Sequence, residues 1–243
     1  MLPAFNEASN LREAVGRCVR AGESLGLRFE VVVVNDGSVD ATRDVMRGLC
    51  AADPRVRALH HPHNRGYGAA LRSGLLAAKM SRVFFTDADL QFDVAEVGRL
   101  LALAERYGVV AGYRAPRRDP WVRCAVGWAW SRLVGAMFQL DVRDVDCAFK
   151  VFDRRIFDRI PVQSLGALVN TEILVRSRAA GFTFTQVPVS HYPRQRGAQT
   201  GLKPRVVARA LGELWSMRAE LTALSTQAGW PSPDETHSIG SHD

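Results

Sequence analysis

Phe29-Glu30-Val31-Val32-Val33-Val34-Asn35-Asp36-Gly37-Ser38 is the stretch that decides the fold. Phe29 to Val34 is a valine-rich run closed by a turn, the pattern of a parallel strand buried on both faces. Asp40 follows, placed to cap a helix through about Leu49. Working outward, Val56 to His60 reads as a second strand, and Ala69 to Met80 as an alanine-rich helix. Val83 to Thr86 is a third strand, Asp93 to Tyr107 a helix, and Val109 to Ala111 the next strand. Strands alternating with helices of this length predict a parallel sheet with helices on both faces and right-handed crossovers.

Beyond about Arg114 the alternation stops. A polar loop, Ala115 to Pro120, leads to a helix rich in Trp121, Trp128, Trp130, Met137 and Phe138. A strand (Cys147 to Phe152), a helix (Thr171 to Ala180), a strand (Thr183 to Val189) and a basic loop (His191 to Pro204) follow. The last helix is predicted over about Arg205 to Ala223, and the Ser/Gly/Pro/His-rich residues 225–243 as a disordered tail. The expected organisation is one domain over 1–224, with a nucleotide-binding half (1–114) and an acceptor-side half (115–224).

Composition sets the outer bounds. A chain of 243 residues, 47% hydrophobic and 23% charged, is globular, which excludes disordered, collagen-like and coiled-coil classes. Net charge is +7, and of 32 basic residues only Lys79, Lys150 and Lys203 are lysine. Arginine's planar fork suits phosphate and carboxylate partners, although GC-rich coding produces the same skew. The basic residues are scattered rather than striped, which argues against a nucleic-acid partner. Cys18, Cys50, Cys124 and Cys147 form neither a zinc framework nor a disulfide scaffold, so a reducing, cytoplasmic setting is expected. No leader pattern opens the sequence. The longest apolar stretch, Trp121 to Leu140, is broken by Arg123, Ser131 and Arg132, against the roughly 20 apolar residues of a span.

Ligands of open parallel sheets sit outside the carboxyl ends of the strands. Those ends carry Asn6-Glu7, Asn35-Asp36 and Asp87-Ala88-Asp89 with Gln91. In extended chain, residues 87, 89 and 91 point to one side, so two carboxylates and an amide oxygen can converge. Such an oxygen-only set suits Mg²⁺ or Mn²⁺ with open positions for a diphosphate. The competing reading is that Asp89 or Asp93 caps the next helix. Gly66-Tyr67-Gly68-Ala69-Ala70-Leu71 imitates a dinucleotide fingerprint but has leucine at its third glycine position, so tight helix entry is the better account of its glycines. His60, His61 and His63 lack a cysteine partner and read as solvated loop histidines.

Four motifs in order carry a resemblance. Leu2-Pro3-Ala4-Phe5-Asn6-Glu7, Val34-Asn35-Asp36-Gly37-Ser38-Val39-Asp40, His63-Asn64-Arg65-Gly66 and Asp87-Ala88-Asp89-Leu90-Gln91 resemble the family 2 glycosyltransferases of GT-A fold. Within them the sequence is similar to dolichyl-phosphate mannose synthase and bacterial polyprenyl-phosphate glycosyltransferases, from residue 2 to about 203. The resemblance implies a Rossmann-like, mostly parallel α/β sheet with a C-terminal acceptor-side region. It implies an inverting transfer from a UDP-, GDP- or dTDP-linked sugar to a lipid phosphate, at the inner face of the plasma membrane. Pro3, Phe5, Glu7, Val34 and Asp36 would line the nucleoside pocket with Asp87 and Ala88; Asp87 and Asp89 would be the D-x-D motif, with Asp89 and Gln91 on the metal. Arg114, Arg123, Ser131 and Arg194 would meet the acceptor phosphate, Arg194 from a loop that closes over both substrates. The sequence departs from the family in a shortened first strand, in Gly127 where an acceptor arginine is expected one turn before Ser131, and in Thr200 where a lysine is expected, with Lys203 beyond.

A phosphate acceptor arrives ionised and needs positioning more than a base. A hydroxyl acceptor would need a carboxylate base, for which Glu172, Asp144 and Asp146 are candidates beside their alternative as caps and solvated acids. A non-catalytic nucleotide binder on the same sheet predicts a lost metal site, whereas Asp87, Asp89 and Gln91 are all present. The tryptophans and arginines around residues 117–138 predict peripheral membrane contact, with core filling as the alternative.

Overall fold

The structure, a computed structural model, describes residues 1–194 and 204–227. Thr200, Lys203, the middle of the basic loop and the tail from residue 228 lie outside the described residues. Seven strands and eight α-helices make up the described chain, alternating as far as β6: β1 Leu2–Ala4, α1 Ala8–Ser24, β2 Val31–Asp36, α2 Thr42–Ala52, β3 Val56–His61, α3 Tyr67–Ala77, β4 Arg82–Thr86 and α4 Val97–Leu103. Then come β5 Val109–Arg114, α5 Trp121–Phe138, β6 Phe149–Asp153, α6 Ile156–Arg159, α7 Val169–Ala179, β7 Phe184–Val189 and α8 Pro204–Gln227. Residues 225–227, expected in the tail, continue α8.

Strands β1, β2 and β3 form a parallel sheet in that order, and β4-β6-β5-β7 form a second group. The Met1 amino group donates to Phe84 O at 2.8 Å and Thr86 N donates to Met1 O at 3.2 Å. Those two bonds are the parallel pattern, and they join β1 to β4. The β5–β7 pair is parallel, while β6 runs antiparallel to both β4 and β5. The sheet is thus mostly parallel, as expected, and β6, which returns from α5 beyond the point where the alternation stops, is its one antiparallel strand among the described residues.

The valine run of β2 shows why the sheet is covered twice. Val31 and Val33 pack with Leu11, Ala14, Val15 and Met46 of α1 and α2. Val32 and Val34 face the other way, into a larger cluster with Leu71 and Leu75 of α3. Alternation across the strand thus buries both faces. The larger cluster also takes Val110 from β5, Phe138 from α5, Phe149 from β6, Ile173 from α7 and Leu221 from α8, so residues on both sides of position 114 share it.

Two glycines make close approaches possible. Gly37 has φ +69°, and a Cβ there would lie 2.2 Å from the His63 carbonyl carbon. A Cβ on Gly68 would lie 2.5 Å from Ser164 O, which lets α3 seat against the 164–166 backbone and donate Gly68 N to Leu165 O at 3.0 Å. The glycines of the fingerprint-like stretch therefore serve packing.

Candidate active site

The turns after β1 and β2 are laced together by the polar residues of their motifs. Asn6 N donates to Ser38 Oγ at 2.9 Å, and Val39 N donates to Asn6 Oδ1 at 3.0 Å. Glu7 N donates to Thr42 Oγ1, and Ala8 N to Asp40 Oδ2. Asp40 also receives Thr42 N, one residue outside the helix-capping position expected for it. The Asn35-to-Asp40 motif thereby holds Glu7 at the carboxyl end of β1.

Asp36 points to the next turn. Its carboxylate lies 2.6 Å from His61 Nδ1 and accepts Arg65 N at 3.0 Å and Gly66 N at 2.9 Å. His61, whose Nε2 meets Ser73 Oγ, is buried rather than solvated, because β3 carries it under Asp36. Asp36 in this arrangement fixes the 64–66 loop. Val34 is fully buried beneath α3 at Gly74, so its side chain packs into the core. Pro3 is buried in register with Val34, whereas Phe5 presents an exposed ring at the end of β1.

Asp87, Ala88 and Asp89 follow β4, but the chain does not stay extended: Leu90 has φ +65°. The assumed alternation of residues 87, 89 and 91 is broken there. Asp87 and Asp89 nevertheless form one electrostatic group with Glu7. Burial pushes the Asp87 carboxyl up to about 7, with Asp89 and Glu7 adding to the rise. Burial likewise raises Asp89, against the hydrogen bond from Gln91 N and the charge of Arg194. Tyr67 OH donates to Asp87 Oδ1 at 3.2 Å.

Arg194 enters this acid group. Its Nη2 pairs with Glu7 Oε1, and its Nη1 lies 3.5 Å from Asp89 Oδ2. Gln91 explains how it gets there. Gln91 Nε2 donates to Tyr192 O at 3.1 Å, and Tyr192 N donates to Gln91 O at 2.8 Å. The residue expected on the metal also ties the Arg194 segment to the acidic turn.

The remaining predicted phosphate ligands form a separate network. Arg114 grips Asp144 through Nε at 2.6 Å and Nη2 at 2.7 Å, and reaches Asp119 at 3.4 Å. Arg117 and Arg123 also approach Asp119, at 2.9 and 3.6 Å. Burial would raise Asp144, but the Arg114 pair outweighs it and holds the carboxyl below its ordinary value. Ser131 is buried and accepts Val145 N at 3.3 Å, joining α5 to the Asp144–Asp146 segment. Lys150, wholly buried, donates to Val145 O at 3.0 Å and to Cys147 O. Asp146 Oδ1 is buried with no hydrogen-bond partner among the described residues, and burial with Asp144 nearby pushes its carboxyl up to about 6.

Glu172 is a correction. It is fully buried, and its oxygens accept Gln163 N at 2.9 Å, Ser164 N at 2.7 Å and Arg176 Nε at 2.9 Å. A carboxylate so occupied anchors the 163–164 loop and leaves no oxygen for a substrate proton. Tyr67, Asn10 (whose Nδ2 donates to Glu7 Oε2 at 2.7 Å) and Lys150 went unread in the sequence. The one signal for Tyr67 is its place between two glycines directly after the Asn64-Arg65-Gly66 loop.

Among the described residues, no three His, Cys, Asp or Glu side chains are arranged to cage a metal ion. Two aspartates at the end of β4 suit a divalent ion that keeps water and takes further ligands from a substrate diphosphate. The donor set fits that kind of site.

Acids at the carboxyl ends of a mostly parallel α/β sheet, backed by an arginine from a later loop, are the arrangement that the resemblance to GT-A type glycosyltransferases implies, and solved structures share the fold. Glucosyl-3-phosphoglycerate synthase of Mycobacterium tuberculosis, solved with phosphoglyceric acid, has this fold with a TM-score of 0.64 at 20% identity, over 96% of this chain and 80% of its own. Its complex with Mn²⁺, UDP and glucosyl-3-phosphoglycerate gives 0.62 at 21% identity, over the same shares. The chain belongs to glycosyl transferase family 2, whose profile matches residues 1–165. It is 33% identical to the glycosyltransferase AglD of Haloferax volcanii over 80% of this chain. It is 29% identical to an undecaprenyl-phosphate 4-deoxy-4-formamido-L-arabinose transferase of Edwardsiella ictaluri over 81%, and 28% identical to a dolichyl-phosphate beta-glucosyltransferase of Trichomonas vaginalis over 78%. The chain spans 33%, 60% and 62% of the lengths of these relatives.

Proposed function

We propose that this chain transfers a sugar, with inversion and with a divalent metal, from a nucleoside diphosphate donor to a polyprenyl phosphate. The observation that carries the reading is the meeting of Glu7, Asp87, Asp89 and Arg194 at the strand ends. Phe5 offers an exposed ring to the donor base. Asp87 and Asp89 would hold Mg²⁺ or Mn²⁺, with Gln91 left tying the Arg194 segment to the acidic turn, and the ion when bound neutralises charge on the leaving diphosphate as a Lewis acid. Arg194 supplies a second positive group for those phosphates. The acceptor phosphate oxygen attacks the anomeric carbon as the bond to the diphosphate breaks, and the diphosphate leaves with the electron pair. An ionised acceptor needs no base, which agrees with the occupied oxygens of Glu172. For Arg114 and Arg123 to contact the acceptor, phosphate must compete with Asp144 and Asp119.

The names of the relatives from Edwardsiella and Trichomonas support the lipid-phosphate acceptor. A hydroxyl acceptor is the second reading, favoured by one observation: the buried, unpartnered Asp146 Oδ1, placed on a carboxyl raised far enough to exchange a proton near neutrality. Thermal-shift measurements with UDP-, GDP- and dTDP-sugars plus Mn²⁺ test the donor side, since a true donor raises the melting temperature by mass action. No stabilisation by any of the three would contradict this donor assignment.

No helix among the described residues is long and apolar enough to cross a membrane. Peripheral contact has a concrete surface. Helix α5 contains no acidic residue and exposes Trp121 (80%), Val122, Val126, Trp128 (64%) and Leu133. Trp130 and Met137 pack partly against the core and Phe138 is buried in it, so these three leave the expected membrane set. Helix α8 packs beside α5 and exposes Val207, Leu211 and Trp215 (71%). Arg132 lies over Trp128 and Arg218 over Trp215, pairing an apolar body with a cation as headgroup contact requires. Anionic vesicles should float this protein at low salt, and Trp128→Ala with Trp215→Ala should weaken binding at least about tenfold. Equal flotation of the double variant would remove this face from the account.

A further inference from the structure

We propose that Arg194 is the resident counter-ion of the metal site, surrendered to the diphosphate when metal and donor bind together. The inference rests on the reading of the site as one for a divalent metal and a nucleoside diphosphate. Glu7, from the end of β1, and Asp89, from the end of β4, both meet the Arg194 guanidinium, and all three side chains are largely buried. Asp87 adds a third carboxylate, held by Tyr67 OH. Like charges this close and this dry repel strongly unless a cation joins them. Arg194 is that cation in the ligand-free protein.

The partners of Asp89 decide the consequence. Oδ1 accepts Gln91 N at 3.2 Å, and Oδ2 faces Arg194 Nη1 at 3.5 Å. A carboxylate has lone pairs to spare, but a metal ion that takes Asp89 as a ligand stands beside the Arg194 guanidinium, and two cations on one buried carboxylate repel. Gln91 N is neutral and belongs to the turn that carries Asp89, so the guanidinium is the partner that the metal's charge drives off. On its own, a metal ion replaces one cation by another and strands Arg194 in a buried setting. Arriving with a diphosphate, it leaves Arg194 a new anion that the planar fork can grip in two places. Gln91 keeps the segment in reach throughout, because it bonds the Tyr192 backbone rather than the guanidinium.

Metal and nucleotide must then bind with positive coupling, and that coupling resides in Arg194. Mn²⁺ binding is measured by electron paramagnetic resonance on the whole protein, first with Mn²⁺ alone. It is then repeated with whichever of UDP, GDP or dTDP gives the largest thermal shift. Arg194→Gln should bind Mn²⁺ alone about tenfold more tightly than wild type, the worth of a hydrogen-bonded charge contact. With nucleotide present the order should reverse, the variant binding the Mn²⁺–nucleotide pair about tenfold more weakly. Arg47→Gln, on the exposed face of α2, removes the same charge elsewhere and should leave both affinities unchanged. Arg194→Lys should fall between, keeping charge without the fork. Equal Mn²⁺-alone affinities for wild type and Arg194→Gln would overturn the counter-ion role while leaving the metal site standing. Failure of every protein to retain Mn²⁺, with or without nucleotide, would overturn the metal reading and this inference with it.

Discussion

Asp89→Ala is expected to lower sugar transfer by at least about 10²–10³-fold while the melting temperature holds or rises. The rate effect follows from charge. Removing one preorganised stabiliser of developing negative charge costs about that factor, and Asp89 is both a proposed metal ligand and a tether of Arg194. The stability effect has the opposite sign for a physical reason. Burial already pushes the Asp87 carboxyl up to about 7, and Asp89 is the charge that adds most to it. Deleting Asp89 relieves that repulsion at neutral pH, and its side chain sits at a strand end rather than in the apolar core. Steady-state transfer and a thermal melt on the same preparation check both halves. A variant that keeps full activity in EDTA would contradict the metal role, and one that unfolds would show that Asp89 is structural.

Glu172→Ala should do the reverse: it should destabilise the fold by about 3–5 kcal/mol with little change in turnover per folded molecule. The carboxylate is fully buried, pairs with Arg176 and caps two backbone N–H groups at Gln163 and Ser164. Its loss leaves those donors unsatisfied and leaves Arg176 with Glu220, half exposed, as its remaining ion-pair partner among the described residues. Breaking a buried pair from one side costs about that much. Glu172→Gln should also destabilise, since an amide can turn only one acceptor oxygen toward three donors. Denaturant unfolding measures the loss. A stable Glu172→Ala protein with turnover down more than about a hundredfold would restore it as a catalytic base.

These two residues also show what the sequence could and could not tell. Strand β2 was legible because a valine run buried on both faces has few other uses, and the structure covers it with α1 and α2 on one side and α3 on the other. The acids at the strand ends were legible because the fold gives them no apolar partner. Glu172 was not, since a carboxylate opening a helix after Asn170-Thr171 has the same local pattern whether it holds a loop or takes a proton. Only the tertiary placement of residues 163–164 distinguishes the two. The partner of Arg114 was hidden for a related reason: Asp144 is thirty positions away in sequence, and one-dimensional pattern carries no such pairing. The direction of β6 was hidden because periodicity records which face is buried and not which way the chain runs. The bend at Leu90 was hidden too, because a positive φ at leucine has no sequence signal. Tyr67 was obscured by its neighbours, whose glycines drew the reading toward helix packing.

The decisive experiment is transfer of labelled sugar, from the donor that thermal shift selects, to a short-chain polyprenyl phosphate. The expected product is a sugar–phosphate–lipid that requires Mg²⁺ or Mn²⁺, disappears in EDTA and carries the anomeric configuration opposite to that of the donor. The contradicting result is metal-dependent transfer of the same sugar to a hydroxyl acceptor, with none to the lipid phosphate.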